Sequence, residues 1–308
     1  MTIVLQETLR GAFYAPFYAA LALDAYREEG VDVRFASAPR PTEAARGLAE
    51  GTVDVTWGGQ MRVMLTYEQN PSCDLVCFCE VVTRDPFFLI GRAPNPDFKL
   101  ADLMGKRVAT VSEVPTPWLC LQEDMRRAGL DPAKLNRVTD QSMGDNAVAL
   151  KRGEVDVVQL FQPFAEELLE GGAGHVWYAA AERGPTSYTT LYARRAVLAD
   201  RRDECERMVR AIHRTLKWVH AGDGARLAAA IAAYFPDVPR QRLAKAFDRY
   251  KALGLWGRNT RLPRSGYERL KDGLISGGLV SKGTPYETAV DNTLAELVAR
   301  QDPPALKR

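Results

Sequence analysis

The 308-residue sequence lacks a long apolar run. Its apolar stretches are interrupted within a few positions by arginine, aspartate or glutamate, whereas a membrane-spanning helix needs about 20 consecutive apolar residues. We therefore predict no direct membrane span. The sequence also lacks a cationic excess, since 41 lysines and arginines face 39 aspartates and glutamates. Nucleic-acid binding, which requires a basic surface, is not predicted.

Cysteine is scarce, and the cysteines present do not form a disulfide pattern. They are Cys73, Cys77, Cys79, Cys120 and Cys205. Their number is odd and none forms a C-x-x-C pair, which favours a reducing compartment. Cys77 and Cys79 share one face of a predicted strand, but no nearby histidine completes a ligand set, so no metal site is predicted.

A secretory signal is also missing from the start of the sequence. Thr2–Leu5 follow the first methionine directly and read as a strand, without a basic segment and an apolar core before them. We expect a cytoplasmic protein, or a periplasmic or cell-surface one if a signal was removed.

The most informative feature that is present is an internal repeat. Gly51-x-Val53-Asp54-Val55 recurs as Gly153-x-Val155-Asp156-Val157, and a glutamine, Gln60 or Gln162, follows each glycine nine positions later. In both copies strands alternate with helices, which is typical of βαβ units with a mainly parallel sheet. The repeat therefore predicts two similar α/β lobes.

Helix and strand signals define the first copy in more detail. Pro16 opens a helix that ends at Gly30 and leads into a strand at Val31–Phe35. Thr42 is a candidate N-cap for the second helix, which delivers the strand Val53–Trp57.

Two predicted strands, Asp74–Val82 and Pro86–Gly91, carry the chain to the second lobe, and Tyr188–Ala193 returns it. We assign residues 1–84 and 191–308 to the first lobe and 85–190 to the second. Amphipathic helices packed on the first lobe are predicted at Asp203–His220, Ala225–Tyr234, Arg240–Leu253, Tyr267–Gly277 and Thr288–Arg300.

The repeat also predicts a binding site. Ligands of open parallel sheets lie beyond the carboxyl ends of the strands, so the loops 6–16, 57–60, 110–117 and 159–163 should face one crevice. The predicted ligand-binding residues are Phe13, Tyr14, Trp57, Gly58, Gly59, Gln60, Arg84, Ser112, Glu113, Thr116, Trp118, Gln162, Ser187 and Tyr188. Their aromatic rings favour a planar ligand with polar edges.

Structural alternatives exist for several of these residues. Trp57 could be buried beneath a tight turn, and Glu113 could stabilise the start of a helix. Hinge and loop exposure would equally explain Arg84, Gln162 and the segment Thr186–Tyr188.

Ordered motifs along the chain resemble a known family. They are Tyr14-x-Pro16-x-x-x-Ala20, Gly30-Val31-Asp32-Val33, Leu48-x-x-Gly51, Leu103-x-Gly105-Lys106-Arg107-Val108-Ala109, Leu150-x-x-Gly153 and Gly277-Gly278-Leu279-Val280. With them the chain resembles the sulfonate, nitrate and thiamine-pyrimidine-precursor binding family of ABC-importer receptors. The resemblance implies a two-lobed, type II periplasmic-binding-protein fold without a cofactor. It implies capture of a small polar organic ligand, aromatic or heteroaromatic, by hinge closure and its delivery to a membrane permease.

Enzymes have also adopted this fold. One group makes the thiamine pyrimidine from its own histidine and a lysine-bound pyridoxal phosphate, and another cleaves aryl sulfinates with a cysteine in the first cleft loop. This sequence has Gly58 and Arg62 where the lysine and histidine would stand, no cysteine-rich motif near Pro185–Leu191, and no cysteine in Arg10–Tyr14. We therefore predict a receptor without catalytic residues. The alternatives are a cytosolic enzyme related to thiamine-pyrimidine synthesis or aryl-sulfur or carboxylate chemistry, and a cytosolic ligand sensor.

Overall fold

The computed structural model describes residues 2–40 and 43–307. The strands of this part are β1 (Ile3–Glu7), β2 (Val33–Ser37), β3 (Val55–Gly58), β4 (Leu75–Val82), β5 (Phe88–Gly91), β6 (Arg107–Ala109), β7 (Asn136–Val138), β8 (Val157–Leu160), β9 (His175–Ala179) and β10 (Thr189–Arg194). Its α-helices are α1 (Ala15–Ala22), α2 (Ala25–Glu28), α3 (Ala44–Ala49), α4 (Gln60–Gln69), α5 (Thr116–Arg127), α6 (Met143–Arg152), α7 (Phe164–Glu170), α8 (Arg195–Asp200), α9 (Arg202–Ala221), α10 (Gly224–Ile231), α11 (Arg240–Ala252), α12 (Arg264–Ser276), α13 (Tyr286–Ala289) and α14 (Thr293–Gln301). Thr42, the predicted N-cap, lies outside the described residues.

The strands form two five-stranded sheets with the same plan. The first has the order β2-β1-β3-β10-β4 and the second β7-β6-β8-β5-β9. In each sheet the fourth strand, β10 or β5, runs antiparallel to both neighbours, and the remaining strands are parallel. The prediction of an α/β fold with two similar, mainly parallel lobes is confirmed.

The repeated aspartates join neighbouring strands in the two sheets. The Asp54 carboxylate accepts a hydrogen bond from the Val4 backbone N–H at 2.8 Å, and Asp156 accepts one from the Arg107 N–H at 2.9 Å. In each lobe the aspartate that precedes β3 or β8 therefore holds the start of the neighbouring parallel strand, β1 or β6. The repeated motif has a structural role at the end of the sheet opposite the cleft.

Strands after the helix-ending glycines start later than the sequence predicts. β2 begins at Val33 instead of Val31, and β3 at Val55 instead of Val53. The cause is that the chain first completes the helix end: the Val31 N–H donates to the Tyr26 carbonyl at 2.9 Å, and Val53 donates to Gly47 at 3.1 Å.

Two predicted helices are each divided. The first breaks between α1 and α2, where Asp24 adopts a left-handed conformation with φ of 55°. The last breaks between α13 and α14, because Val290 forms a β-bridge with Cys77 and the Asp291 N–H donates to the Cys77 carbonyl at 2.9 Å. This short extended segment lies along β4.

The C-terminal helices contact both lobes, whereas the sequence predicts packing on the first lobe alone. Helix α12 packs against α5 of the second lobe, where a Cβ atom on Gly273 would lie 3.5 Å from Cys120. Helix α11 packs against α7 and joins it through ion pairs such as Arg249–Glu166 at 2.9 Å. The lobes therefore touch through helices as well as through the crossovers.

Among the residues described, no helix combines the length and apolar character that a membrane crossing requires.

Candidate functional site

Two crossover segments connect the lobes and bond to each other. The outgoing segment 83–87 links β4 to β5, and the returning segment 180–188 links β9 to β10. The Thr186 N–H donates to the Thr83 carbonyl at 2.9 Å, and the Ala180 N–H donates to the Phe87 carbonyl at 2.9 Å. These two hydrogen-bonded crossovers lie where a hinge between the lobes is expected.

A cavity of about 50 Å³ lies between the lobes beside this hinge and is partly open to solvent. The first lobe contributes Thr8, Leu9, Phe13, Tyr14, Gly59, Met61, Arg62 and Leu270; the second contributes Phe87, Val114, Thr116 and Phe161; Tyr188 stands on the returning crossover. Each of the four loops predicted to face one crevice provides lining residues. We call this space the cleft cavity.

Aromatic rings from both lobes meet in the cleft cavity. Phe13 of the first lobe and Phe161 of the second are 5.1 Å apart between centroids, and Phe161 is 5.2 Å from Phe87. Tyr188 completes the set at 6.3 Å from Phe13. These rings approach one another edge-to-face or tilted, the geometry that aromatic pairs prefer. The lobes are closed on each other, so a planar ligand reaches these ring faces and edges only when the lobes move apart.

One cation lines this aromatic cavity. Arg62, in the first turn of α4, is half-buried and makes no side-chain hydrogen bond or ion pair with residues 2–40 or 43–307. Its charge acts on the hydroxyl groups of Tyr14 and Tyr192. A partly desolvated charge without a partner is unfavourable, so this position favours an anionic group on a ligand.

Hydroxyl groups add hydrogen-bonding capacity beside Arg62. Burial raises the pKa of Tyr14 to about 12, against the opposing effects of Thr8, Thr189 and Arg62, so the phenol is neutral. The Tyr14 hydroxyl lies 3.3 Å from the Thr8 hydroxyl. The Tyr188 hydroxyl is buried and has no partner within the described part of the chain. Both phenols can donate to a ligand oxygen.

The structure brings five of the predicted site residues into the cleft cavity: Phe13, Tyr14, Gly59, Thr116 and Tyr188. The other nine are Trp57, Gly58, Gln60, Arg84, Ser112, Glu113, Trp118, Gln162 and Ser187, and none of them lines it.

Three of these nine belong to the strand–helix junction beneath the cavity. Trp57 is fully buried and stacks between Phe17, at 4.8 Å, and Phe35, at 5.3 Å, so the core alternative applies. A Cβ atom on Gly58 would lie 2.7 Å from the Thr8 side chain, so close packing explains this glycine. Gln60 is fully buried, and its amide has no hydrogen-bond partner in the described residues.

In the second lobe, local hydrogen bonds engage three further residues. The Ser112 hydroxyl donates to the Gln141 carbonyl at 2.8 Å. The Glu113 carboxylate accepts a hydrogen bond from the Met143 N–H at 2.9 Å, at the start of α6. It therefore stabilises the start of a helix, which was the structural alternative to ligand binding. The Gln162 side-chain carbonyl accepts a hydrogen bond from the Glu166 N–H of α7 at 2.9 Å.

The remaining three lie in the second-lobe core or at the hinge. The Trp118 ring stacks under the Arg137 guanidinium, 4.1 Å from the ring centroid. Ser187 donates its hydroxyl to the buried Glu80 carboxyl. Arg84 donates to the Ala181 carbonyl at 3.2 Å and faces a different groove.

Eight lining residues are absent from the prediction: Thr8, Leu9, Met61, Arg62, Phe87, Val114, Phe161 and Leu270. Phe161 falls within a predicted cleft loop, and Phe87 follows Pro86 of the crossover, so the sequence indicates a position near the cleft for both residues. Arg62 stands two residues after Gln60 at the start of α4, where a strand-end loop points toward the cleft. Leu270 comes from distant α12, and no local pattern indicates its position.

The described residues of this site contain no reactive cysteine and no set of metal ligands. The cleft cavity is lined by no cysteine among the described residues. Burial raises the pKa of the Cys120 thiol to about 12 and those of Cys77 and Cys79 further still, which keeps them protonated. Within 2–40 and 43–307, no group of three or more histidine, cysteine or acidic side chains could hold a metal ion.

Comparison with known proteins identifies the family of this chain. The model of the family described as "NMT1/THI5 like" matches residues 12–223, more than half of the sequence. The chain belongs to this family. The resemblance seen in the sequence motifs is thereby confirmed.

Proteins similar to this chain include binding proteins and an enzyme. The chain is 24% identical over 297 residues to "Putative binding protein YtlA" of Bacillus subtilis (strain 168), covering 96% of this chain and 89% of that one. The alkanesulfonate-binding protein SsuA of Xanthomonas axonopodis pv. citri, solved bound to MOPS, has a TM-score of 0.72 and 14% identity over 95% of this chain and 98% of that one. The desulfurization enzyme DSZB has a TM-score of 0.68 and 14% identity over 98% and 99% of the two chains. These structures share the periplasmic-binding-protein fold.

Proposed function

We propose that this protein is the solute-binding component of an ABC importer and that its ligand is a small organic anion with an aromatic ring. The names of YtlA and SsuA support the binding role. The observation that carries the ligand class is Arg62, a cation without a protein partner among the described residues, in a cavity of aromatic rings. A ring carrying one carboxylate or sulfonate matches both features.

Ligand capture follows from the closed arrangement. Phe13 and Arg62 lie on one side of the cleft cavity, and Phe87 and Phe161 on the other, so a ligand contacts all of them only when the lobes meet. A ligand that binds the closed form more tightly shifts the population toward it. The hinge between residues 83–87 and 180–188 allows this closure, and a membrane permease would then recognise the closed form. This role places the protein in the periplasm or at the cell surface.

We also propose that the ligand is released unchanged. A covalent reaction needs an activated nucleophile beside a base within hydrogen-bond reach. The polar groups of the described cavity are the hydroxyls of Thr8, Tyr14, Thr116 and Tyr188 and the guanidinium of Arg62. Burial holds the pKa of both tyrosines well above neutral pH, so neither serves as a base there.

The first test is a thermal-shift screen with aryl carboxylates, aryl sulfonates, pyrimidines and nitrate, followed by titration calorimetry of each hit. We expect an aryl anion to raise the melting temperature in proportion to the logarithm of its concentration, as mass action requires. Prolonged incubation with product analysis should recover it unchanged. A hit that the protein consumes would contradict the receptor role.

The second test is Arg62→Gln with the matched control Arg92→Gln, an exposed arginine of the second lobe. A charge-assisted hydrogen bond contributes about 1.5–3 kcal/mol, so Arg62→Gln should weaken aryl-anion binding by about 10- to 100-fold. Arg92→Gln should leave the affinity unchanged, because its side chain is 55% exposed and lies outside the cavity. If the Arg62→Gln protein bound aryl anions as tightly as wild type does, an anionic ligand would be excluded.

A further inference from the structure

A second groove lies at the hinge and shares no lining residue with the cleft cavity in the part of the chain that the structure describes. Its volume is about 770 Å³, within the range of small-molecule sites. Thr83 and Arg84 of the outgoing crossover and Pro185 of the returning one line it, together with residues 251–264 and parts of α9, α13 and α14. We call it the hinge groove.

Cationic side chains dominate the walls of the hinge groove. They are Arg84, Lys251, Arg258, Arg261 and Arg264. Arg261 faces Glu296 at 3.5 Å, and Arg264 pairs with Glu287. The other three have no carboxylate partner within 2–40 or 43–307, and three uncompensated charges in one groove attract a multivalent anion.

Two of those three cations are held at fixed places in the groove. Arg84 donates to the Ala181 carbonyl, and Lys251 donates to the Gly222 carbonyl, so each is positioned by backbone and keeps further donors. Arg258 makes no hydrogen bond in the described part of the chain. Its guanidinium acts on the nearby His220 ring, which also lines the groove.

A buried carboxyl group forms part of the groove lining. Glu80 is fully buried; one of its oxygens accepts the Ser187 hydroxyl, and the other has no partner among the described residues. Burial raises the pKa of Glu80 to about 8, so at neutral pH the group is protonated and can donate a hydrogen bond. An unpartnered donor in a groove that cations also line suits an oxyanion.

We propose that the hinge groove binds a small tetrahedral oxyanion, sulfate or phosphate, between Arg84, Arg258 and the Glu80 carboxyl. The anion compensates the cations without a carboxylate partner and accepts a hydrogen bond from Glu80. Because Arg84 lies on the outgoing crossover and Pro185 on the returning one, an anion in the groove touches both strands of the hinge.

The test is calorimetric titration of sulfate at pH 7 in the Arg62→Gln protein, in which the proposed cleft anchor is absent. Arg84→Gln with Arg258→Gln should weaken binding by about tenfold or more, as loss of charge-assisted hydrogen bonds predicts. The control is Arg152→Gln with Arg240→Gln, which removes the same charge from exposed positions outside the groove. It should change the affinity by no more than about twofold, since distant surface charges are screened. A parallel titration with phosphate shows which oxyanion is preferred.

The pH dependence tests the role of Glu80 separately. Sulfate keeps its charge between pH 7 and 9, and the pKa of His220 is lowered below this window while that of Tyr286 is raised above it. On the same strand, burial raises the pKa of the Cys77 and Cys79 thiols. With a Glu80 pKa of about 8, sulfate binding should weaken about tenfold from pH 7 to 9.

Glu80→Gln keeps an acceptor for Ser187 and a permanent donor, so it should bind sulfate with little pH dependence over this range. No heat of sulfate or phosphate binding at pH 7, or equal binding by the groove variant and its control, would overturn the proposed site. Identical pH profiles for the Arg62→Gln protein with and without Glu80→Gln would exclude the Glu80 carboxyl from the site. None of these outcomes bears on the cleft cavity, because Arg62 is absent throughout.

Discussion

Replacing Glu80 with glutamine should change how stability depends on pH. In the unfolded chain this carboxyl ionises near its ordinary pKa of 4.5, whereas in the folded protein burial raises the pKa to about 8. Below pH 4.5 both states are protonated and the group has no effect. Between the two values the folded state binds more protons than the unfolded state, so stability falls as pH rises.

The size of the effect follows from the shift. A difference of about 3.5 units at about 1.36 kcal/mol per unit gives a destabilisation of at most about 5 kcal/mol above pH 8. The amide introduced by Glu80→Gln does not ionise, and its carbonyl can still accept the Ser187 hydroxyl. At an unfolding entropy of about 2.1 cal/mol/K per residue over 308 residues, the variant should melt up to about 7 °C above wild type at pH 8.5.

The assay is thermal unfolding of both proteins between pH 5 and 9 in buffer without sulfate or phosphate. The two curves should converge at pH 5 and separate as pH rises. Glu296→Gln is the control, since this carboxylate lines the same groove but its side chain is 44% exposed. Parallel curves for wild type and Glu80→Gln, or equal separation for the control, would refute the buried, protonated carboxyl.

Three further predictions concern packing, closure and thiol access. Gly224→Ala should destabilise the protein by about 1–3 kcal/mol in denaturant unfolding, because its Cβ would lie 2.0 Å from the Ala244 carbonyl oxygen. Gly144→Ala, in a helix where the new Cβ would make only ordinary contacts, should instead stabilise by up to about 1 kcal/mol, and the reverse order would contradict the packing. Glu170→Gln removes the acceptor of two ion pairs between the lobes and should raise the ligand-free radius of gyration in X-ray scattering; an unchanged radius would count against this closure contact. Cys73, the half-buried thiol, should react with a thiol reagent before the four buried cysteines, and simultaneous labelling would contradict their burial.

The sequence predicts the architecture well because the repeat is local. Glycine-ended helices followed by Val-Asp-Val strands indicate two equivalent lobes, and both sheets have the same strand order. The residue-level boundaries shift by two positions at Val31 and Val53, where backbone hydrogen bonds that close the helix delay the strand. Such a delay depends on backbone geometry that residue type alone does not determine.

The site is predicted at the level of loops rather than side chains. All four predicted loops reach the cleft cavity, yet Trp57 points into the core and Arg62, in the first turn of the helix that follows, lines the cavity instead. Direction along a strand-to-helix turn is set by tertiary packing, here by the stacking of Trp57 between Phe17 and Phe35. The contribution of Leu270 depends on α12 crossing to the second lobe, which involves close approach at Gly273 and is not visible in local periodicity.

The most direct test of anion binding in the cleft cavity combines one substitution with two ligands. Calorimetry would measure the affinities of wild type and Arg62→Gln for an aryl carboxylate and for the corresponding neutral amide. Arg62→Gln should weaken binding of the carboxylate by about 10- to 100-fold and leave binding of the amide nearly unchanged, because only the anion uses the charge of Arg62. Equal losses for both ligands, or no loss for the carboxylate, would contradict an anion-binding cleft.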